Sequence, residues 1–270
     1  MATKCPHATW DPLSNTQTQP RMDRHDIVCL HTMAGTFAGT NIMFHEKGFG
    51  GTESHFGIAG SGLARQWQDL DFTADANNEG NHRVISIETA DKGEDFPRWV
   101  GSDVPPWTPA QLDKIVAIVG WCCDRYGIPR TLIPDTMPHR RGIGYHRQGI
   151  PGNFLPPYSG KTGPGELWTV LPGGFGKPCP GTNRIRQIET IIIPRLQKPA
   201  ILNPSDLEDD DMVILRNKTN KHTCVFGSGK LTVLTGEANV ATAREAGIPV
   251  WSLEDDDYDR LVKVYGPVQA

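Results

Sequence analysis

VISIE, residues 84–88, alternates apolar and polar positions and ends on a carboxylate. Alternation with period two is the mark of a half-buried β-strand, so Glu88 stands at a strand tip. Working outward, IVCLH (27–31) is a short apolar run that closes on His31, the pattern of a buried strand. GIGYH (142–146) is a short apolar approach to a second histidine, His146. HFGIAGSGLARQWQD (55–69) reads as a hairpin turning at AGSG. Residues 108–126 form the clearest helix: Thr108 is the N-cap, Pro109 opens the first turn, and Gly127 follows the last. Leu112, Ile115, Val116, Val119 and Cys123 fall on one face of it, which makes Cys122 and Cys123 packing residues. The Gly/Thr-rich stretch between His31 and His55 reads mostly as loop. Residues 183–197 read as a terminal amphipathic helix interrupted near Pro194.

Polar residues gather where these elements end. Strand ends present side chains to a shared cleft, and His31, Glu88 and His146 all stand there. Cys179 follows inside GKPCPG (176–181), pinned between Pro178 and Pro180 in a long Gly/Pro loop. Two readings of that thiol stand side by side, a buried apolar cysteine at a loop end or a thiolate held for a metal. Two imidazoles and a thiolate with an open fourth position suit zinc, but no HExxH or CxxC fixes two ligands locally.

The bulk numbers bound the rest. The 270 residues carry a net charge of −4, with 29 Gly and 22 Pro that predict long ordered loops. From Asp206 onward there are 12 acids and 7 bases, net −5; the preceding part carries 19 acids and 20 bases, net +1. Neither part has the basic surplus of a nucleic-acid binder. The six cysteines form no framework of spacings, which fits a reducing compartment. No apolar signal core opens the chain and no run of about 20 apolar residues follows. The expectation is a soluble chain made in the cytoplasm, monomeric, with no membrane partner. KPAILNPSDLEDDD (198–211) reads as an acidic linker, and residues 212–270 as short strands around turns with one helix-like segment at 240–246.

Five short motifs in order now resemble a known family. VCLHTMAG, SHFGIAGSGLARQWQD, VISIETAD, YHRQG and KPCPG are similar to segments of the zinc-dependent N-acetylmuramoyl-L-alanine amidases, shared by phage lysins and animal peptidoglycan recognition proteins. The wording is closest to actinobacteriophage endolysins. The resemblance spans about residues 25–197. It implies an α/β fold, a mixed central β-sheet flanked by helices, within a catalytic domain at 1–197, followed by a small β-rich module for wall binding. It implies Zn²⁺ held by His31, His146 and Cys179, with Glu88 as general base and Lys177 stabilising the oxyanion. Ser54 stands where many members carry a catalytic tyrosine, and Asp75 where a substrate histidine often lies. His55, Asp75 and Trp168 are the candidate substrate contacts, while Phe154, Tyr158 and Trp168 serve equally as anchors for the long loop. The implied partner is bacterial peptidoglycan, reached after a separate membrane-permeabilising factor releases the enzyme. Competing readings are a recognition module that binds peptidoglycan without cutting it, and a zinc peptidase acting within the stem peptide.

Overall fold

The structure, a computed structural model, describes residues 2–16, 18–46, 53–93, 96, 101, 103–152, 158–161, 163–169 and 178–197, together with four strands between 212 and 253. The chain forms two compact units, Met1–Pro199 and Ala200–Ala270.

The first unit is built on a six-stranded mixed sheet. Its strands are β1 (Thr9–Trp10), β2 (Ile27–Thr32), β3 (Phe56–Ile58), β4 (Ala64–Gln66), β5 (Val84–Thr89) and β6 (Gly142–Tyr145). Their order across the sheet is β1-β4-β3-β5-β2-β6. β2 lies between β5 and β6, parallel to both, and all six of its residues are buried. A central parallel strand covered on both faces needs a near-continuous apolar run, which IVCL supplies. β3 and β4 form the expected antiparallel hairpin, closed by backbone hydrogen bonds between Ala59 and Gly62 and between Ala59 and Leu63.

Alternation along the strands separates two faces. Val28, Leu30, Phe56, Ile58, Ile85, Ile87 and Ile143 face the helices in the main core. Ile27, Cys29 and Val84 face the other way, onto Ile133 and Trp168. His31 continues the row of Ile27 and Cys29 on this second face, and Glu88 continues the row of Val84 and Ser86. The register pairs His31 with Glu88 across parallel strands, so both side chains rise at one level on one side.

Helix α1 (Phe37–His45) occupies part of the stretch the sequence assigns to loop. Thr36 caps it, its hydroxyl accepting from Gly39 N at 3.1 Å. Only Thr40 and Phe44 are buried, while Ile42 and Met43 lie exposed, so no apolar stripe marks it. β1 is a second addition to the sequence reading, and it draws residues before 25 into the sheet. Helix α2 (Pro109–Tyr126) is as expected: Thr108 and Gln111 form a capping box, and Gly127 ends the helix at φ 61°. Cys122 and Cys123 are both buried in its core face. Burial pushes the Cys122 thiol well above its usual range, which suits packing rather than chemistry.

The last helix runs from α3 (Thr182–Gln187) through a π-helical stretch, Ile188–Ile192, into α4 (Ile193–Gln197). Proline has no N–H to give the preceding turn, and here the wider π turn lies just before Pro194, so the helix passes it instead of stopping.

The second unit contains β7 (Met212–Asn217), β8 (Thr223–Gly227), β9 (Lys230–Leu234) and β10 (Val250–Leu253), in one sheet of order β10-β7-β8-β9. The two hairpin pairs are antiparallel, and β10 joins β7 in parallel. The expected linker and the helix-like segment 240–246 lie outside the described residues.

Candidate metal centre

The tip of β2 brings His31 to the site, and the turn after β6 brings His146. β6 runs beside β2 with Leu30 opposite Tyr145, so the next residue on each strand is a histidine. Their rings lie 4.3 Å apart between centroids. Cys179 arrives from the far loop, and one ligand atom from each of the three falls within 4.8 Å of the others. All three side chains are buried. Among the described residues this is the one such group of histidines, cysteines and carboxylates.

Hydrogen bonds choose the nitrogen each histidine offers. His31 Nε2 faces Asn77 Oδ1 at 3.2 Å. His146 Nε2 faces the Trp168 carbonyl at 3.1 Å, with Thr169 Oγ1 at 2.5 Å. Amide and carbonyl oxygens only accept, so both Nε2 atoms carry the proton and both Nδ1 atoms keep the lone pair a metal needs. Cys179 Sγ accepts from Thr32 N at 3.2 Å, a hydrogen bond that favours a thiolate. Two imidazole nitrogens and a sulfur are the donor set of a tetrahedral zinc site with one open position. The residues fit Zn²⁺.

The Cys179 loop is held from both sides. Arg147 Nη2 donates to the Pro178 carbonyl, and Nη1 donates to Thr182 Oγ1 at 3.2 Å. Gly181 has φ 103°, and a Cβ there would lie 2.5 Å from Val104 Cβ, so only glycine fits. Arg184, fully buried, donates to Thr32 Oγ1, Thr89 Oγ1, and the Thr89, Ala90 and Pro105 carbonyls. It ties the tips of β2 and β5 to α3. Burial pulls its pKa down to about 10, which leaves it a cation at neutral pH beside Cys179 and Glu88.

Glu88 lies beside the ligands. Its Oε1 is 3.7 Å from His31 Nδ1, and its side chain keeps 15% exposure against 1% for His31. Of that pair, the glutamate side chain is the more open to solvent. Next to it, Gly57 pairs with Glu88 across β3 and β5, and a Cβ on Gly57 would stand 2.1 Å from the Trp67 ring. The missing side chain lets Trp67 pack directly over the strand beside Glu88.

The remaining candidates separate. His55 does not face a ligand: it is completely buried, one ring nitrogen meeting Ser86 Oγ at 3.2 Å and the other the Phe72 carbonyl at 3.0 Å. Segment 70–73 covers it, which its place at the head of a strand does not reveal. Burial drives its pKa down to about 4. Trp168 is 1% exposed, packed on Gly149 and Gly80, and acts through its carbonyl on His146 rather than as a stacking surface. Tyr158 is likewise an anchor, its hydroxyl donating to Glu189 Oε2 at 2.7 Å. Asp75 is half-buried and accepts from Gln19 and Asn81. Ser54, at the family's tyrosine position, is buried. Lys177 and Phe154 lie outside the described residues. Asn77, Arg147 and Arg184 are the residues the sequence reading missed. ADAN (74–77) holds the first, but a lone amide in a loop carries no spacing signal.

The sequence model of one family, described as N-acetylmuramoyl-L-alanine amidase, matches residues 21–166. That stretch contains His31, Glu88 and His146 and ends before Cys179. No curated protein matches the chain. Among solved structures, the endolysin amidase LysCS from Clostridium intestinale URNW is 12% identical, covers 69% of this chain and 95% of its own, and has a TM-score of 0.40. PlyL is 16% identical over 70% of this chain and 96% of its own, with a TM-score of 0.42. An AmpD derivative is 16% identical over 62% and 92%, with a TM-score of 0.39. Likeness at those scores decides nothing here. The family match covers more than half of the sequence, and on that ground the chain belongs to the N-acetylmuramoyl-L-alanine amidase family.

Proposed function

We propose that this amidase is a phage endolysin that cuts the bond between the lactyl group of N-acetylmuramic acid and L-alanine, using zinc at His31, His146 and Cys179. The observation that carries the reading is the convergence of those three ligand atoms within 4.8 Å, beside the carboxylate of Glu88. Bound there, Zn²⁺ supplies Lewis acidity that activates water and polarises the scissile carbonyl.

The chain's own groups do the rest. Glu88 takes a proton from the attacking water at a carboxylate oxygen and returns it to the leaving amine. Asn77 and the Trp168 carbonyl hold the imidazoles in the tautomer that keeps Nδ1 free. The Thr32 N–H and the Arg184 charge favour the thiolate of Cys179. Lys177, two residues before Cys179, is assigned to the developing oxyanion as a fixed positive charge.

The domain division of the reading is a catalytic domain at 1–197, a linker at 198–211 and a wall-binding module at 212–270. Among the described residues no helix is long and apolar enough to cross a membrane. Export through a separate permeabilising factor completes the proposal.

Metal analysis tests it. The purified chain should hold about one zinc, and Cys179→Ser should lose most of both zinc and activity, because a neutral hydroxyl is a poor ligand. Full zinc content and full activity in that variant would remove Cys179 from the site.

A further inference from the structure

Glu53 takes no part in the chemistry above, yet its carboxylate is 1% exposed. Oε1 accepts from Asn15 Nδ2, and from Gln19 Nε2 at 2.7 Å. Oε2 is buried with no hydrogen-bond partner. Among the described residues, neither Glu53 nor its neighbour Asp75 has an ion-pair partner.

A carboxylate only accepts, so it fixes the polarity of the amides around it. Asn15 turns its NH₂ toward Glu53, and its Oδ1 therefore receives Gln68 Nε2, at 3.1 Å. Gln68 is fully buried, and its Oε1 is left as a second buried oxygen with no partner. On the other side, Gln19 Nε2 bridges to Asp75 Oδ2 at 3.2 Å, and Asp75 Oδ1 accepts from Asn81 Nδ2 at 3.3 Å. Burial and then the Glu53 charge hold the Asp75 carboxyl above its usual range. Two carboxylates thus share one amide, and Gln68, joined to Glu53 through Asn15, adds a bare buried amide oxygen, with no ion-pair partner for either acid among the described residues.

We infer that this cluster binds a hard divalent cation of the calcium class, held by oxygens of Glu53, Gln68 and Asp75. The donors are carboxylate and amide oxygens, which suit calcium and not zinc. A water molecule in the same place would satisfy the oxygens and leave the buried Glu53 charge uncompensated. The cation also reaches the zinc ligands through the chain. Asn81, which donates to Asp75, accepts from Asn77 N at 2.6 Å, and Asn77 holds His31.

The test uses the full zinc-loaded chain, freed of calcium, with thermal unfolding of the Met1–Pro199 unit followed in CaCl₂, MgCl₂ and NaCl. Calcium should raise its Tm by about 5 °C or more once it exceeds its Kd a hundredfold. Glu53→Gln and Asp75→Asn should keep zinc and lose the rise. Asp75→Asn, at a half-exposed position, serves where Glu53→Gln fails to fold. An equal rise in variants and parent would overturn the proposal, placing the ion elsewhere in that unit. So would a Tm that no cation moves, which leaves a water or a protonated carboxyl in the cluster. The readout is unfolding, so either result leaves the amidase reading standing.

Discussion

The Asn77 carboxamide works at both ends: Oδ1 accepts from His31 Nε2, and Nδ2 donates to Cys29 Sγ at 3.3 Å. With its oxygen toward the ring, the amide keeps the His31 proton on Nε2. Asn77→Ala should therefore weaken zinc binding by about 10- to 100-fold, the scale of losing a ligand's outer hydrogen bond. Competition with a chromophoric chelator measures this, and an unchanged affinity would show that packing alone orients the ring. Glu88 makes the complementary case. Glu88→Gln should keep zinc and fold while the rate falls by roughly 100-fold or more, the usual consequence of removing a general base. Turnover near that of the parent would move the proton transfer to another group. At this scale the sequence was legible only where chemistry had a local sign. Cys179 was marked by its flanking prolines, and His31 and Glu88 by ending strands. Asn77 and Arg184 were not, because the site groups they hold, His31 and the Ala90 carbonyl, lie 46 or more residues away in the chain.

The strands β2 and β5 show what a pattern can specify. Apolar runs and alternation identified them, and their register sets His31 opposite Glu88. Helix α2 was as plain, with a cap, a stripe and a terminal glycine. Helix α1 was hidden because its residues Ile42 and Met43 point to solvent, so no period of 3.6 survives. The burial of His55 is hidden for a related reason: a strand's head looks open in sequence, and only the fold brings the Phe72 carbonyl onto its ring. That burial has a consequence for stability. The folded His55 titrates near 4 and the unfolded one near its ordinary 6.5, so between those values the unfolded chain binds the extra proton. The contribution of neutral His55 is complete above about pH 6.5 and declines as pH falls toward 4, by something on the order of 3 kcal/mol. Denaturant unfolding of the Met1–Pro199 unit across that range reads it directly. His55→Gln should flatten the decline, and an unaltered slope would assign the acid sensitivity elsewhere.

For the whole molecule, the two units carry different charge: near neutral before residue 206 and net −5 from there on. Walls rich in anionic polymer should repel the second, so wall binding by residues 200–270 calls for a neutral sugar and little salt dependence. A fluorescent fusion of those residues, mixed with host walls at low and high salt, checks this. Retention lost on adding salt would contradict the charge argument, and no retention at either salt would end the binding role. The sequence made the second sheet legible as short strands around turns, while its order, with β10 beside β7, depended on pairing across more than 30 residues. The central claim concerns which bond is cut. Purified peptidoglycan digested by the zinc-loaded chain, then read by mass spectrometry, tests it most directly. The account predicts intact stem peptides with free L-alanine amino termini and glycan strands with free lactyl carboxyls, both absent with Glu88→Gln. Cleavage within the stem peptide, with L-alanine still joined to muramic acid, would contradict it.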